Sequence, residues 1–586
     1  MAGAEGPTRA RTALGWGLCL GLGLSAAAPA SALELLGTGP LGGATIQFTD
    51  DFEARYWMTD RKLPGFEDRR IHDYLEQVNR LNMLLSQRWK AGDGLSVGLQ
   101  LDEVALFSNR YILDEELLHS WELYDASISS PWQDALVRLE KGFVQYRWRQ
   151  GEVTAGDSYS SFGRGIALNI KKNTDIDIDT SIRGARTQLR FGDFELSAIS
   201  GLSNRQQISQ DQPNLGVFRD IPHMVTGARL ARYALGPADL GVHGVVYRFG
   251  RDEDALVEGA ARYSEPLDAA IGGADLTLNG VGGLDLFLEG DLFAYLSPDM
   301  VGEVDEGDYQ TRYGHALYAS GSMYPGNAVL LVEAKHSSDT ERINNFVTVD
   351  GWEVATVPSL EYERVITEDS SAAMNSNDVF GGRVRLDYSL KEGAFIPFLS
   401  LMSLRDQDID TLHFNRSPET VGHGVTGFAL SGGKVTAQLN AGLRLDVRDD
   451  AAEGQDRLMH LDGDITVPVG PKDHLELALA AKQFAWGENV QMQEDFLEME
   501  NALVWHRGDK LSFSIYQDWS DNPLVQSDGN LSDSLYGAGE VAWHPGPNTS
   551  LRAFYGAYKA GIRCSGGQCR SMPGFEGGRL SFNSTF

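Results

Sequence analysis

Apolar and polar residues alternate along most of this chain with a period of two, the pattern of β-strands that show one face to hydrocarbon and the other to water. The segment 434–447 shows it best: Val435, Ala437, Leu439, Ala441, Leu443, Leu445 and Val447 fall on one side, and Lys434, Thr436, Gln438, Asn440, Arg444 and Asp446 on the other. The split recurs in 380–390, where Val384, Leu386, Tyr388 and Leu390 oppose Arg383, Arg385, Asp387 and Ser389. It recurs again where Leu475, Leu477 and Leu479 oppose His474, Glu476 and Lys482. A face carrying full charges cannot be the inside of a sandwich, so it meets bulk water or lines a wet lumen.

The connections sort into two kinds. Tight turns at 90–93, 150–151, 192–193, 236–238, Asn279-Gly280, 325–327, 391–393, 431–433, 470–473, 507–509 and 545–548 alternate with long connections, among them 108–134, 254–269, 336–377 and 406–422. That rhythm predicts an all-β fold: a transmembrane antiparallel up-and-down β-barrel of about 24 strands, in a range of roughly 20–26, with short periplasmic turns and long extracellular loops. A six-bladed propeller has the same number of strands but no reason to alternate connection lengths, and no per-blade repeat is present.

Both ends of the chain fit this expectation. Arg9 and Arg11 precede an apolar run over 13–28 that closes on Ala30-Ser31-Ala32, the layout of a secretory signal peptide. Residues 1–32 are therefore expected to be cleaved, and 33–586 to form a single outer-membrane barrel domain. Its first strand starts near Thr45, which leaves no room for a separate N-terminal plug domain. At the other end Leu580, Phe582 and Phe586 share one face of a final strand, which resembles the terminal signal read by the barrel-assembly machinery, with Ser584 as its departure from that pattern. This strand is expected to close the barrel against 45–58, with both termini in the periplasm.

Charge and cysteine content narrow the partners. With 82 acidic against 50 basic residues the net charge is -32, which excludes nucleic acid and leaves outer-membrane lipid and a periplasmic or lipoprotein partner as the expected company. After cleavage only Cys564 and Cys569 remain, and Cys-Ser-Gly-Gly-Gln-Cys in an oxidising compartment suits a local disulfide better than a two-ligand zinc site.

Two stretches carry a family resemblance. Gly156-Asp157-Ser158-Tyr159-Ser160-Ser161-Phe162-Gly163-Arg164-Gly165-Ile166, followed by Asp179-Thr180-Ser181-Ile182-Arg183-Gly184-Ala185-Arg186, resembles a motif pair from an uncharacterised family of Gram-negative outer-membrane, porin-like β-barrel proteins. The similarity covers 46–233; beyond it only the hairpin rhythm is shared. The resemblance implies location and fold, and brings no activity or catalytic residues.

Signatures of chemistry fail on context. Gly94-Leu95-Ser96-Val97-Gly98 runs from a turn into a strand and cannot form a nucleophile elbow, and Ser431-Gly432-Gly433-Lys434 spans a turn with no helix to stack Ser on Lys. The twelve histidines are scattered, with no H-E-x-x-H; His119, His336 and His413 fall in expected loops, where a rim site would have to be assembled. No enzyme is expected and no cofactor is required. Asp175, Asp177 and Asp179 share one side of an extended run and would suit calcium, against a plainer reading in which they face water or pair with Arg183 and Arg186.

The inner face supplies the functional expectation. Arg147, Arg149, Arg383, Arg385, Arg444, Glu289, Asp387 and Glu476 lie opposite the apolar stripe, as a charge-laddered pore lining or as cross-strand pairs that stiffen the wall. About 24 strands spaced ~4.8 Å and tilted ~40° close a cylinder roughly 50 Å across. Such a hole must be narrowed by loops or a partner, and Ile112, Leu113, Leu117, Leu118 and Trp121 recur at helical spacing in one loop suited to fold inward. The leading reading is a porin-like channel or translocation pore for polar solutes; the alternative is a closed barrel scaffold for surface adhesion or for docking a secretion or assembly partner.

Overall fold

A computed structural model describes residues 33–35, 44–58, 74–89, 92–108, 136–173, 177–206, 208–209, 222–250, 268–298, 309–338, 340, 353–355, 378–406, 419–432, 434–448, 455–485, 495–521, 535–559, 561–565, 568–572 and 574–586. The alternating segments form 24 antiparallel strands, Ala44–Trp57 first and Phe575–Thr585 last, each hydrogen-bonded to its neighbours in the chain. Closure follows from the last pairing: Phe582 stands opposite Phe52, Leu580 opposite Ala54 and Thr585 opposite Thr49. Phe586 extends the seam by exchanging backbone hydrogen bonds with Phe48, at 2.8 and 3.1 Å. A closed sheet leaves no edge to recruit a stray strand. Ser584, out of pattern among the apolar residues of this strand, is buried and its hydroxyl shares a 2.9 Å hydrogen bond with Thr549 Oγ1, so its polarity is satisfied where no water reaches.

The outer face is dressed for hydrocarbon. Leu99, Leu101, Val144, Leu317, Leu401, Ile515 and Tyr555 are exposed around the wall, and Leu292 is 70 % exposed, a load of apolar surface that an aqueous protein does not carry. Next to the short turns lie aromatic pairs, Trp89 with Tyr146, Phe191 with Phe194, Phe395 with Phe428 and Trp505 with Phe513, forming an interfacial belt. These features fit the transmembrane barrel the alternation predicts.

Among the described residues the hairpin turns fall where expected, with one correction. Asn279-Gly280 is not the turn of its hairpin: the strand Asp268–Val281 runs past it, and the chain reverses at Gly282 and Gly283, both at positive φ. Gly280, at φ 67°, instead makes a bulge between Leu278 and Val281, held by its amide donating to Asp285 Oδ1 at 2.7 Å.

Outside the barrel, Leu33–Leu35 lies along Ala44–Ile46, and Glu353–Ala355 pairs with the hairpin Gly561–Ser565/Gln568–Met572. In that hairpin Cys564 stands directly opposite Cys569 in the register. The signal-peptide segment 1–32 and the apolar helical pattern over 112–121 lie outside the described residues.

Candidate functional site

One long connection can be followed in detail, and it turns into the barrel. The strand Gly151–Ser158 is only 8 residues long, and among the described residues the next strand to pair with the wall is Ser181–Phe191. Between them, Ser160–Phe162 and Leu168–Ile170 form a small hairpin whose tip is Gly163-Arg164-Gly165, with Gly165 N donating to Phe162 O at 2.8 Å and both glycines at positive φ, 54° and 100°. Phe162, Ile166, Ala167, Leu168 and Ile170 are buried against Val225, Val245, Tyr247, Ile271, Phe293 and Tyr295. Those wall residues alternate with exposed Val242, Val246 and Leu292, so they point into the barrel, and the described residues 159–173 and 177–180 lie on the lumen side. The Tyr247 hydroxyl fixes the hairpin by donating to Ala167 O at 2.5 Å.

The root of this insert is ionic. Lys141, buried on the inner wall, donates to both the carboxylate and the backbone carbonyl of Asp179, the latter at 2.6 Å, while Lys172 reaches the same carboxylate at 2.8 Å and Tyr159 donates to it as well. Burial alone would raise the Asp179 pKa; the ammonium groups of Lys141 and Lys172 overrule it and hold the carboxyl at about 2. Beside it Asp157 accepts from Gly142 N at 2.8 Å, Ser181 Oγ at 2.9 Å, Asn204 Nδ2 at 2.9 Å and Arg183 at 3.2 Å, which ties the two ends of the insert together. The glycines of the motif have steric reasons: a Cβ on Gly156, at φ 106°, would strike Gly142 O, and one on Gly184 would strike Ser200 O. The motif pair read from the sequence is thus the insert and its anchors.

The tip meets a charged wall. Arg164 N donates to Glu289 Oε2 at 2.5 Å, its guanidinium lies 4.1 Å over the Tyr318 ring, and it stands 3.9 Å from Glu333. Arg383 is 2.5 Å from Glu333, and the Tyr318 hydroxyl donates to Glu333 Oε1 at 2.6 Å. On the root side a cavity of about 500 Å³ opens along the inner wall, lined among others by Gln47, Gln100, Lys141, Gln145, Asp157 and Arg186.

The expected pore-lining residues divide by environment. Arg444 is fully buried and 3.0 Å from Asp446, and Arg383 and Glu289 are buried at the insert. Arg385 pairs with Asp387 at 2.7 Å, Glu476 stands 3.5 Å from His506, and Arg147 pairs with Glu152 at 3.0 Å while remaining 63 % exposed. Arg149 departs from expectation: it sits in the turn after Trp148, not on a strand face, because Leu136–Trp148 ends before it. The ladder is therefore mostly ion-paired, across strands for Arg147, Arg383 and Glu476 and along one strand for Arg385 with Asp387 and Arg444 with Asp446.

Asp177 and Asp179 are held by different partners. Asp177 accepts from Gln206 at 2.9 Å and Ser209 at 2.6 Å, whereas Asp179 is taken up by the two lysines; Asp175 lies outside the described residues. Asp177 and Asp179 thus have separate protein partners, and Arg183 and Arg186 pair instead with Asp157 and Glu152.

His119 and His413 lie outside the described residues, while His336 belongs to the strand Ala328–Ser338, 3.3 Å from His315, and not to a loop. Ser96 sits inside Gly94–Ser108, its hydroxyl 3.3 Å from that of Ser86, so no nucleophile elbow exists there. Sequence reading missed Lys141, Arg164 and the insert as a lumen element. A signal was present: Val245, Tyr247, Ile271, Phe293 and Tyr295 make the inner face of their strands apolar too, and such a face needs a cover.

No family model matches the chain, and a search of curated proteins finds no match. Among solved structures it is similar to the siderophore receptor PirA of Pseudomonas aeruginosa (9 % identity over 92 % of this chain and 80 % of that one, TM-score 0.45). It is also similar to the P pilus usher PapC translocation pore (10 %, 92 % and 99 %, TM-score 0.40) and the outer membrane protein OpdK of P. aeruginosa (12 %, 70 % and 94 %, TM-score 0.35). Superpositions this loose at identities this low speak for no shared activity.

Proposed function

We propose that this protein is an outer-membrane channel for polar solutes, with short turns and both termini in the periplasm, whose lumen is narrowed by residues 159–173 and 177–180. The observation that carries this reading is the insert itself. A barrel serving only as a membrane anchor has no need of a segment lying on its inner wall, held by ion pairs at its root and by Arg164 at its tip. The cavity beside the root supports a route past it, since among its mixed polar and apolar lining Lys141, Asp157 and Arg186 carry both signs of charge. The inner-wall residues Arg147, Arg383, Arg385, Arg444, Glu289, Asp387 and Glu476 are proposed to set its selectivity. Passage is passive on this reading, with the barrel-assembly machinery as the partner that inserts it.

Conductance of the purified protein in planar lipid bilayers is the test. Stable insertion with discrete current steps is expected. Insertion without current would instead favour the closed-scaffold reading, for which the mutual pairing of the buried inner charges is the supporting observation.

A further inference from the structure

We infer that His243, Glu289 and Asp291 form a divalent-metal site on the inner wall beneath the tip of the insert, suited to zinc or manganese. Each offers one ligating atom, and the three atoms lie within 4.8 Å of one another. The register builds the site: His243, Gly273 and Asp291 are directly opposite across three neighbouring strands, Ala238–Arg248, Asp268–Val281 and Leu284–Pro298, and Glu289 lies two residues from Asp291 on the same face. Gly273, in the middle strand, leaves the space open, since a Cβ there would strike both the Asp291 carboxylate and His243 Nε2. On the lumen side Gly163 likewise has no room for a Cβ against Glu289, and the Phe162 ring lies 6.2 Å from the His243 ring. The insert is therefore the roof of the site.

The second observation is unmet bonding capacity. All three residues are more than nine-tenths buried, yet His243 Nδ1, Glu289 Oε1 and Asp291 Oδ2 have no hydrogen-bond partner. The contacts the trio does make leave its charge uncompensated. His243 Nε2 is 2.6 Å from Asp291 Oδ1, its Nδ1 lies 3.9 Å from Asp275 Oδ2, beyond hydrogen-bond reach, and Glu289 receives the backbone amide of Arg164. Nearby guanidinium groups are committed elsewhere: Arg229 to Asp275 at 2.7 Å, Arg383 to Glu333, and Arg164 to the Tyr318 ring and Glu333. Two buried carboxylates sharing one imidazole require a further positive charge, and a dication supplies it where a proton would satisfy only one oxygen. One imidazole with two carboxylates is a donor set for zinc or manganese; calcium prefers six to eight oxygens, and a site with a nitrogen and no backbone carbonyl suits it poorly.

Metal at this point would bind the wall residues that hold Gly163 and Arg164, and so fasten the insert in its narrowed position. Binding does not depend on the channel reading; only its effect on current does, so the two are measured separately. Zinc chloride, manganese chloride and calcium chloride are titrated into the full-length barrel in detergent by calorimetry, with metal content determined after gel filtration. One zinc or manganese per chain is expected. Glu289→Gln with Asp291→Asn, and separately His243→Asn, should weaken binding by more than the roughly 10–100-fold that loss of an outer ligand partner costs. Heat-modifiable migration in gel electrophoresis reports that each variant is still a folded barrel. Should a variant not fold, X-ray absorption at the zinc edge of the wild-type protein must show a nitrogen/oxygen shell with an imidazole. Absence of saturable binding, binding unchanged in folded variants, a shell without imidazole, or calcium bound more tightly than zinc would each overturn the site. In bilayers zinc should lower the current of the wild type and leave the variants unaffected; a protein that binds zinc but carries no current refutes the channel and retains the site.

Discussion

Gly163 rests so close against Glu289 that a side chain of any size on the glycine would intrude on the carboxylate, and the next amide in the chain, Arg164 N, donates to that same carboxylate. The tip of the insert is thus fitted to one residue of the wall. Gly163 also sits at φ 54°, which a residue with a Cβ adopts only under strain. Gly163→Ala is expected to displace the tip without harming the barrel, because Gly163 belongs to the insert and takes no part in the backbone pairing of the wall. Planar-bilayer recordings should show larger or longer openings than wild type, with heat-modifiable migration unchanged; identical current would remove the tip from the constriction.

The root of the insert should respond to acid. Asp179, with a folded pKa of about 2 against an ordinary 3.8, contributes stability that is complete above its unfolded pKa and is lost as the pH falls through the folded value. Between about pH 4 and pH 2 the insert should let go, seen as rising current or as cleavage within 159–180 by an acid protease. Asp179→Asn leaves Lys141 buried without its charge partner, a loss on the order of 3–5 kcal/mol for a buried pair, so the same opening is expected at neutral pH. A neutral-pH current equal to wild type would show that the pair does not hold the insert.

Arg147 and Arg383 should separate selectivity from stability. Arg147 is largely exposed near a short turn and shares Glu152 with Arg186, so Arg147→Gln should change thermal stability by no more than ~1 kcal/mol and shift the reversal potential toward cations. Arg383 is buried with Glu333, and Arg383→Gln leaves that carboxylate with less compensation, which should lower the unfolding temperature measurably. Equal melting of the two variants would contradict the difference in burial on which this rests.

Cys564 and Cys569 stand opposite each other in the backbone register of a hairpin, and a disulfide between them predicts no free thiol in protein isolated from cells. Maleimide labelling followed by mass spectrometry should modify neither cysteine before reduction and both after it; labelling without reductant would dismiss the bond.

The wall of this protein was legible from the chain alone because strand pairing in a barrel is local: each strand binds the next one, so the alternation of Val435 to Val447 and the turns between strands already imply register and closure on Phe575–Thr585. Even the bulge at Gly280 displaced only one turn by a few residues. What fills the wall was not legible. The insert carries no strong period of its own, and its place depends on contacts with residues far along the chain, Tyr247, Glu289 and Glu333 among them, which no local pattern encodes. The same holds for His243, Glu289 and Asp291, brought together only by register across three strands. The sequence by itself determined a closed barrel with a charged inner face; tertiary packing alone decided which charges meet, and that Gly163 and Arg164 end against Glu289, because those are choices among distant partners made by burial and charge.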